Sequence, residues 1–349
     1  MKKHLLFIFS TATLLASCVS TNYLSIDIRR PAVVTFDSTV VNLVVVDNAA
    51  SMPDANDVSD EERMSSQKEI QLVTLPLDSA KWALTKGLAQ FMDEEKYFGK
   101  VSRYRINMRD DSDFEKDRPL TKGQISTICE QTDADAVISI DKFLFSSTLD
   151  KYENPYTGAT DDVLAMRTGI VARAYTAQGK LLEPEVTVLD SLFWQGSSYM
   201  TRNGYKPILP LPELEEASIE MAVHTADKLV DYFIPSWQTQ TRWYYSNSGN
   251  MKKAGKLAQG GKWAEAAEAW RQLFDKEKNP LRKARLASNI ALANEYLDDI
   301  ENARHWIDAA FELIPSHGDS KLTELTTIYK KVLIERERYS NKLKEQVGD

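Results

Sequence analysis

Apolar positions change rhythm twice along the chain, and each change predicts a different architecture. Ala32-Val33-Val34-Thr35-Phe36 and Val40–Val46 are β-branched runs that predict strands. The second is apolar on both faces, as a central strand is. Leu77, Leu84, Leu88 and Phe91 recur at near-helical spacing and predict a helix over 77–98, with Asp78 or Ser79 as its cap. Residues 101–107 alternate as a strand. Residues 121–131 form a short helical pattern with Thr121 as cap, and residues 134–145 read as another strand. Alternation of this kind is the pattern of β-α-β units.

Beyond Phe145 the rhythm becomes that of an antiparallel meander. Asn154-Pro155-Tyr156-Thr157-Gly158 predicts a turn, 163–176 and 186–195 predict long strands, and Gln178-Gly179-Lys180 predicts the hairpin between them. Pro207, Pro210 and Pro212 break up the following loop, and a helix over 213–233 stops before Pro235. One mixed sheet with helices packed against it accounts for residues 32–235. The order of these elements, with Val41–Val46 opening the sheet and Asp133-Ala134-Asp135-Ala136-Val137-Ile138 leading into a later strand, resembles the N-terminal domains of TolB and the curli secretion lipoprotein CsgG. That resemblance implies an envelope structural or interaction domain, with no catalytic residues to carry over.

The last third is helical. Gly261 bends the chain between two helices, Trp263 packs in the bend, and Ala266 lets the helices approach, with Trp270 and Leu273 on the same face. The interval from Ala266 to Ala303 is 37 residues, against a tetratricopeptide period of 34. Residues 247–280 and 284–317 therefore resemble two tetratricopeptide repeats, the first through Leu257, Gly261, Trp263, Ala266, Trp270 and Leu273. The second matches through Ala287, Ala291, Ala303, Ala310 and Pro315, with Asp298 where the bend glycine is expected and Asn294 where an aromatic is usual. A final helix over 321–344 would cap the stack. The alternative is a simple amphipathic helical bundle.

The expected fold class is thus α+β: a mixed-sheet domain at 32–235, a junction at 236–249, and an all-α tetratricopeptide-like domain at 250–349. The aromatic residues of the junction, Trp237, Trp243, Tyr244 and Tyr245, are expected to pack between domains or to form a contact surface for a partner.

The first residues bear on location. Lys2 and Lys3 precede a short apolar run, Leu5–Leu15, and then Leu15-Ala16-Ser17-Cys18. Residues 1–17 have the shape of a secretory signal too short to span a bilayer. The box resembles that of a bacterial lipoprotein, which implies cleavage before Cys18, lipid on its sulfur, and a tether over 18–31. Together with Arg30-Pro31-Ala32, the mixed-sheet domain and the short repeat tail, the chain resembles an uncharacterised lipoprotein family of Bacteroidales. Val19-Ser20-Thr21-Asn22-Tyr23 lacks the acidic run of surface-exposed lipoproteins in that group, so the periplasmic face of the outer membrane is expected.

Composition narrows the chemistry. Among 349 residues, 43 are Lys or Arg and 51 are Asp or Glu, a formal charge of −8 that argues against a nucleic-acid binder. Apart from Cys18, the other cysteine, Cys129, sits in a helical pattern and reads as a small buried hydrophobe. Phosphate-loop, dinucleotide-fold and zinc-protease motifs are absent, so no catalytic residue, cofactor or metal ligand is assigned. His224 reads as a helix-flank residue, and His305 and His317 have no ligand spacing. The acidic stretch 48–67 lacks the glycine and final glutamate of a calcium loop. Asp110/Asp111 and Asp161/Asp162 read as loop charges. Asp133, Asp135 and Asp141, near a strand, are the better placed carboxylates. The expected function is a non-enzymatic envelope scaffold or adaptor for another envelope protein or peptide. The alternative is an envelope hydrolase acting on glycan or lipid through residues distant in sequence.

Overall fold

A computed structural model describes residues 21–51, 77–109, 111–153, 156, 159–202 and 204–348. Cys18, the signal segment, most of the acidic stretch 48–67, Asp110 and most of the 154–158 turn lie outside them. In chain order the elements are β1 (Thr21–Arg30), β2 (Asn42–Asp47), α1 (Leu77–Glu94), β3 (Lys100–Arg103), α2 (Lys122–Thr132), β4 (Ala136–Glu153), β5 (Ala159–Thr176), β6 (Leu181–Thr201) and β7 (Gly204–Leu209). They continue with α3 (Leu214–Phe233), β8 (Ser236–Tyr245), α4 (Gly249–Gln259), α5 (Trp263–Lys276), α6 (Pro280–Tyr296), α7 (Ile300–Glu312) and α8 (Ser320–Val347). The fold is mixed: a curled sheet with helices, then several helices.

The chain divides into two compact units. A sheet unit takes Arg30–Ser236 and Lys342–Asp349, and a helical unit takes the chain up to Arg29 and Trp237–Asn341.

In the sheet unit the strand order is β3-β2-β4-β5-β6-β7. β2 runs parallel to both β3 and β4, whereas β4 through β7 are antiparallel neighbours. β2 is apolar on both faces because both are covered. Leu43 and Val45 enter the larger core with Leu84, Leu88 and Met92 of α1 and Met221, Ala226 and Leu229 of α3. Val44 and Val46 enter a smaller core with Ile125, Ile128 and Cys129 of α2. Helix α2 starts at a capping box in which Thr121 and Gln124 satisfy each other's backbone N–H.

The structure corrects several boundaries. Residues 32–36 form no strand. Ala32, Val34 and Phe36 are buried, but their backbone finds other partners: Val34 N–H donates to the Tyr232 carbonyl at 2.9 Å, and Ala32 bonds the Gln346 side chain at 2.9 and 3.0 Å. Residues 21–30, read as tether, form β1, and residues 236–245, read as junction, form β8; the two pair as a sheet of their own. Pro207 lies in edge strand β7 rather than in a loop, where its missing N–H is tolerated. Asp161 and Asp162 lie in β5 rather than in a loop.

In the helical unit α4 to α8 share one core containing Trp263, Ala266, Trp270, Ala287, Ala291, Ala303, Ala310 and Tyr329. Gly261 has φ +78° at the α4–α5 turn, and Asp298 takes φ 61° at the α6–α7 turn. Asp298 thus adopts the left-handed conformation that glycine would supply more easily. Arg242 of β8 is anchored on Glu295 of α6 at 2.7 and 2.9 Å, and Tyr329 donates to the same carboxylate at 2.7 Å.

Candidate functional site

The aromatic cluster of β8 divides by role. Tyr244 and Tyr245 are buried, and Tyr244 lies 5.9 Å from the Trp270 ring. The Tyr245 backbone exchanges bonds of 2.7 and 2.8 Å with the Asn289 side chain, and Trp243 packs 5.7 Å from Tyr329. These three hold the helical unit's own core. Trp237 alone presents its ring to solvent, at 71% exposure.

The three singled-out aspartates are also structural. Asp133 ends α2 in a left-handed conformation. Asp135 accepts the Val41 and Asn42 N–H groups at 2.9 and 2.8 Å, locking β4 onto the start of β2. Asp141 accepts from Ser139 at 2.5 Å, Asn48 at 2.8 Å and Arg173 at 2.6 Å, while Arg173 also holds Asp117 at 2.5 Å and Glu185. Burial pushes the Asp141 carboxyl up against the opposing pull of these donors. Cys129 is buried, and burial followed by the nearby Asp135 and Glu130 charges raises its thiol.

His224 is more than a flank residue. Its Nδ1 lies 2.9 Å from Asp190 Oδ2, and Lys228 pairs with the other oxygen. Thr225 reaches the same carboxylate at 3.3 Å. Burial pushes Asp190 up, but the bonds from Lys228 and His224 outweigh it and leave the carboxyl below its usual range. The pair arises because His224 and Lys228 stand one turn apart on α3, facing the inner side of β6.

A cleft of about 530 Å³ opens at the C-terminal ends of β2 and β3, beside the first turns of α1. Asp47, Lys81, Trp82, Arg103, Asn107 and Arg109 line it. Asp47 follows Leu43 and Val45 on one face of β2, and Arg103 follows Val101 on the matching face of β3. Asp47 is raised chiefly by burial, opposed by the Lys81 charge, the Ala49 N–H and the Asn107 side chain. Sequence reasoning missed this site, although Lys81 stands between Leu77 and Leu84 on the apolar stripe of α1. A charged residue on a buried stripe is the signal that was there to be read. Among the described residues no group of three His, Cys, Asp or Glu side chains is placed to hold a metal ion.

The other notable surface is the uncovered face of the long strands. Along β6, Val186, Val188 and Asp190 are buried, whereas Leu189 and Phe193 are 83% and 62% exposed and Tyr199 is exposed as well. Gly169 of β5 sits between Leu189 and Leu144 on this face, so a cross-strand apolar strip runs over three strands.

No helix among the described residues is long and apolar enough to cross a membrane. Comparison with solved structures finds a putative neuraminyllactose-binding hemagglutinin homolog from Helicobacter pylori at 7% identity and TM-score 0.31, covering 57% of this chain and 86% of that one. It also finds lipoprotein GNA1162 from Neisseria meningitidis at 12% identity and TM-score 0.15, covering 54% and 97%. Among curated proteins none matches. Residues 252–335 match the family described as Domain of unknown function (DUF6340). Residues 40–245, most of the chain and nearly all of the sheet unit, match Domain of unknown function (DUF8603), and the chain belongs to that family.

Proposed function

We propose that this chain is an envelope lipoprotein of the uncharacterised Bacteroidales type, anchored through lipid on Cys18 to the periplasmic face of the outer membrane, and that it serves as a non-enzymatic scaffold or protein-binding adaptor. On this reading α4/α5 and α6/α7 are tetratricopeptide-like hairpins, and α8 closes them. The left-handed turns at Gly261 and Asp298 and the Trp263–Tyr296 stack at 4.2 Å support that reading of the helices.

The observation that carries the adaptor reading is the open face with the apolar strip of Leu144, Gly169 and Leu189, and with Phe193 beyond the Arg167–Ser191 pair. Large apolar side chains grouped on a sheet face, with the opposite face already packed by α1 and α3, are the mark of an interaction surface. The second reading, a hydrolase, draws on the Asp190–His224 pair, which has the orientation of a base and its positioning carboxylate. Against it, Lys228 shares the Asp190 carboxylate.

The test is a photo-crosslinking residue placed at Phe193 in living cells. A defined crosslinked protein is expected, and Leu189→Asp should abolish it without altering the fold. Cys18→Ala should release the protein from the membrane fraction. If crosslinking from Phe193 and from Trp237 both yield nothing, the adaptor reading fails.

A further inference from the structure

We propose that the cleft at the ends of β2 and β3 binds a small organic carboxylate with an apolar tail, the carboxylate on Arg103 and Lys81 and the tail along Trp82. The inference stands apart from the open sheet face and does not depend on it.

Arg103 supplies the geometry. Its Nε donates to Thr85 Oγ1 at 2.6 Å, and Thr85 in turn donates to the Lys81 carbonyl at 3.0 Å, so the guanidinium is held in one orientation. Among the described residues it forms no salt bridge; Asp47 acts on it only as a nearby charge. Neither Nη group has a hydrogen bond among the described residues, and a fixed fork of two parallel donors matches a planar carboxylate.

Lys81 supplies a second cation. Its side chain is 6% exposed, with Nζ 2.9 Å from Ser51 Oγ and 3.4 Å from Asp78, whose own side chain is 86% exposed. Among the described residues this buried ammonium has one hydroxyl and one distant, solvated carboxylate as direct partners, with the buried Asp47 acting on it as a nearby charge. Arg109 adds a third. Its side chain is 3% exposed, Nε and Nη2 are engaged by Asp111 and the carbonyls of Asp113 and Lys116, and Nη1 is buried with no partner among the described residues.

Three acids, Asp47, Asp78 and Asp111, share the cleft with these cations, and none of them pairs with Arg103. Asp111 is shared by Arg109 and Arg118, and Asp47 accepts the Ala49 N–H at 3.1 Å from within the protein. Lys81, Arg103 and Arg109 all line a volume of ligand size. Its position at the carboxyl ends of parallel strands is where open α/β sheets place ligands.

The tail is set by Trp82. Trp82 is 49% exposed, carries Lys86 Nζ 4.5 Å from its ring centroid, and lines both the cleft and an adjoining hollow of about 410 Å³ with Asp78, Ser79, Ala83 and Ile219. A charged head on one side of this ring and an apolar wall on the other select an amphiphilic anion over a bare one. The same chemistry is presented by a medium-chain fatty acid and by a peptide ending in a free carboxylate after an apolar residue.

Calorimetric titration of the full mature chain separates these sources. The probes are octanoate, an acetylated tripeptide ending in leucine as the free acid, the same peptide as its amide, and inorganic phosphate. Saturable binding of octanoate or of the free-acid peptide is expected, identifying a lipid-derived or a peptide carboxylate respectively, with the amide silent. Arg103→Gln and Lys81→Met should each weaken binding at least about tenfold. Arg103→Lys, which keeps the charge but not the fork, should weaken it as well. Circular dichroism and hydrogen exchange on each variant distinguish a lost site from a lost fold. Phosphate binding with both carboxylates silent, equal affinity in a folded Arg103→Gln protein, or no saturation at millimolar probe overturns the proposal.

Discussion

At Gly255 a single missing methyl decides how closely α4 approaches β8. A Cβ there would lie 2.5 Å from Tyr244 Cε2 and 3.1 Å from Cζ, a distance no side chain tolerates. Tyr244 cannot swing away, because it is buried against Trp270. Gly255→Ala therefore overpacks the crossing and should destabilise the helical unit by about 1–3 kcal/mol, read as an earlier denaturant midpoint. At Asp190 the relevant quantity is charge. Its folded carboxyl titrates below the unfolded one, so its contribution to stability is complete above about pH 4 and is lost as pH falls through the folded value. Asp190→Asn should narrow the stability gap between neutral and acid pH, measured by urea unfolding across pH 2–7. An unchanged pH profile would mean that Lys228 and His224 do not act on this carboxylate in solution.

Among the elements, the ones legible in sequence are those whose pattern and environment agree. The alternation of 186–195 is a half-covered strand seen from both sides, and Thr121 with Gln124 is a cap written in residue types. The strands outrun their predicted ends because polar residues such as Ser146, Thr148 and Asp150 face solvent and leave no apolar signal. Residues 32–36 fail for the opposite reason: β-branched composition is present, but no neighbouring strand is offered, and a helix end and Gln346 take the backbone instead. Leu24, Ile26 and Ile28 of β1 do alternate, yet their partner strand lies more than 200 residues away, and pattern alone cannot point to it. The aromatic run at 243–245 had the composition of either a core or a contact surface; Tyr244 and Tyr245 are buried in the core, and Trp243 is half-buried against it. The cleft was illegible as a site because Lys81 and Arg103 meet only once β2, α1 and β3 are assembled. In the helical unit, Trp263 is 5% exposed at the start of α5 and stacks on Tyr296. Trp263→Ala should destabilise that unit by about 3–5 kcal/mol. Hydrogen exchange should place the loss within 237–341, and unchanged exchange there would show that α5 does not depend on the stack.

At the scale of the molecule, neither unit is continuous in sequence. The sheet unit recruits 342–349, where Gln346 satisfies both backbone groups of Ala32, its own carbonyl accepts from Tyr97 at 2.7 Å, and Lys342 donates to the Val33 carbonyl at 2.6 Å. Gln346→Ala leaves a buried N–H and C=O without partners and should remove about 1–3 kcal/mol from the sheet unit. The amides of residues 32–36 should exchange faster, and protection lost from α4 to α7 instead would contradict the assignment.

The recruitment of residues 342–349 sets an order in time. A ribosome delivers Ala32 some three hundred residues before Gln346, and β1 more than two hundred before β8. Through most of synthesis, and through export if the chain crosses a membrane unfolded, the emerging segments hold open ends with nothing to close them. The entropy of closing so long a loop rises only with the logarithm of its length, so the finished protein bears it easily. The nascent chain bears it differently: it must wait, with its apolar strands exposed, for the closing segments to arrive. A fold whose parts are stitched by late-arriving residues leaves its early part longest exposed to the wrong partner.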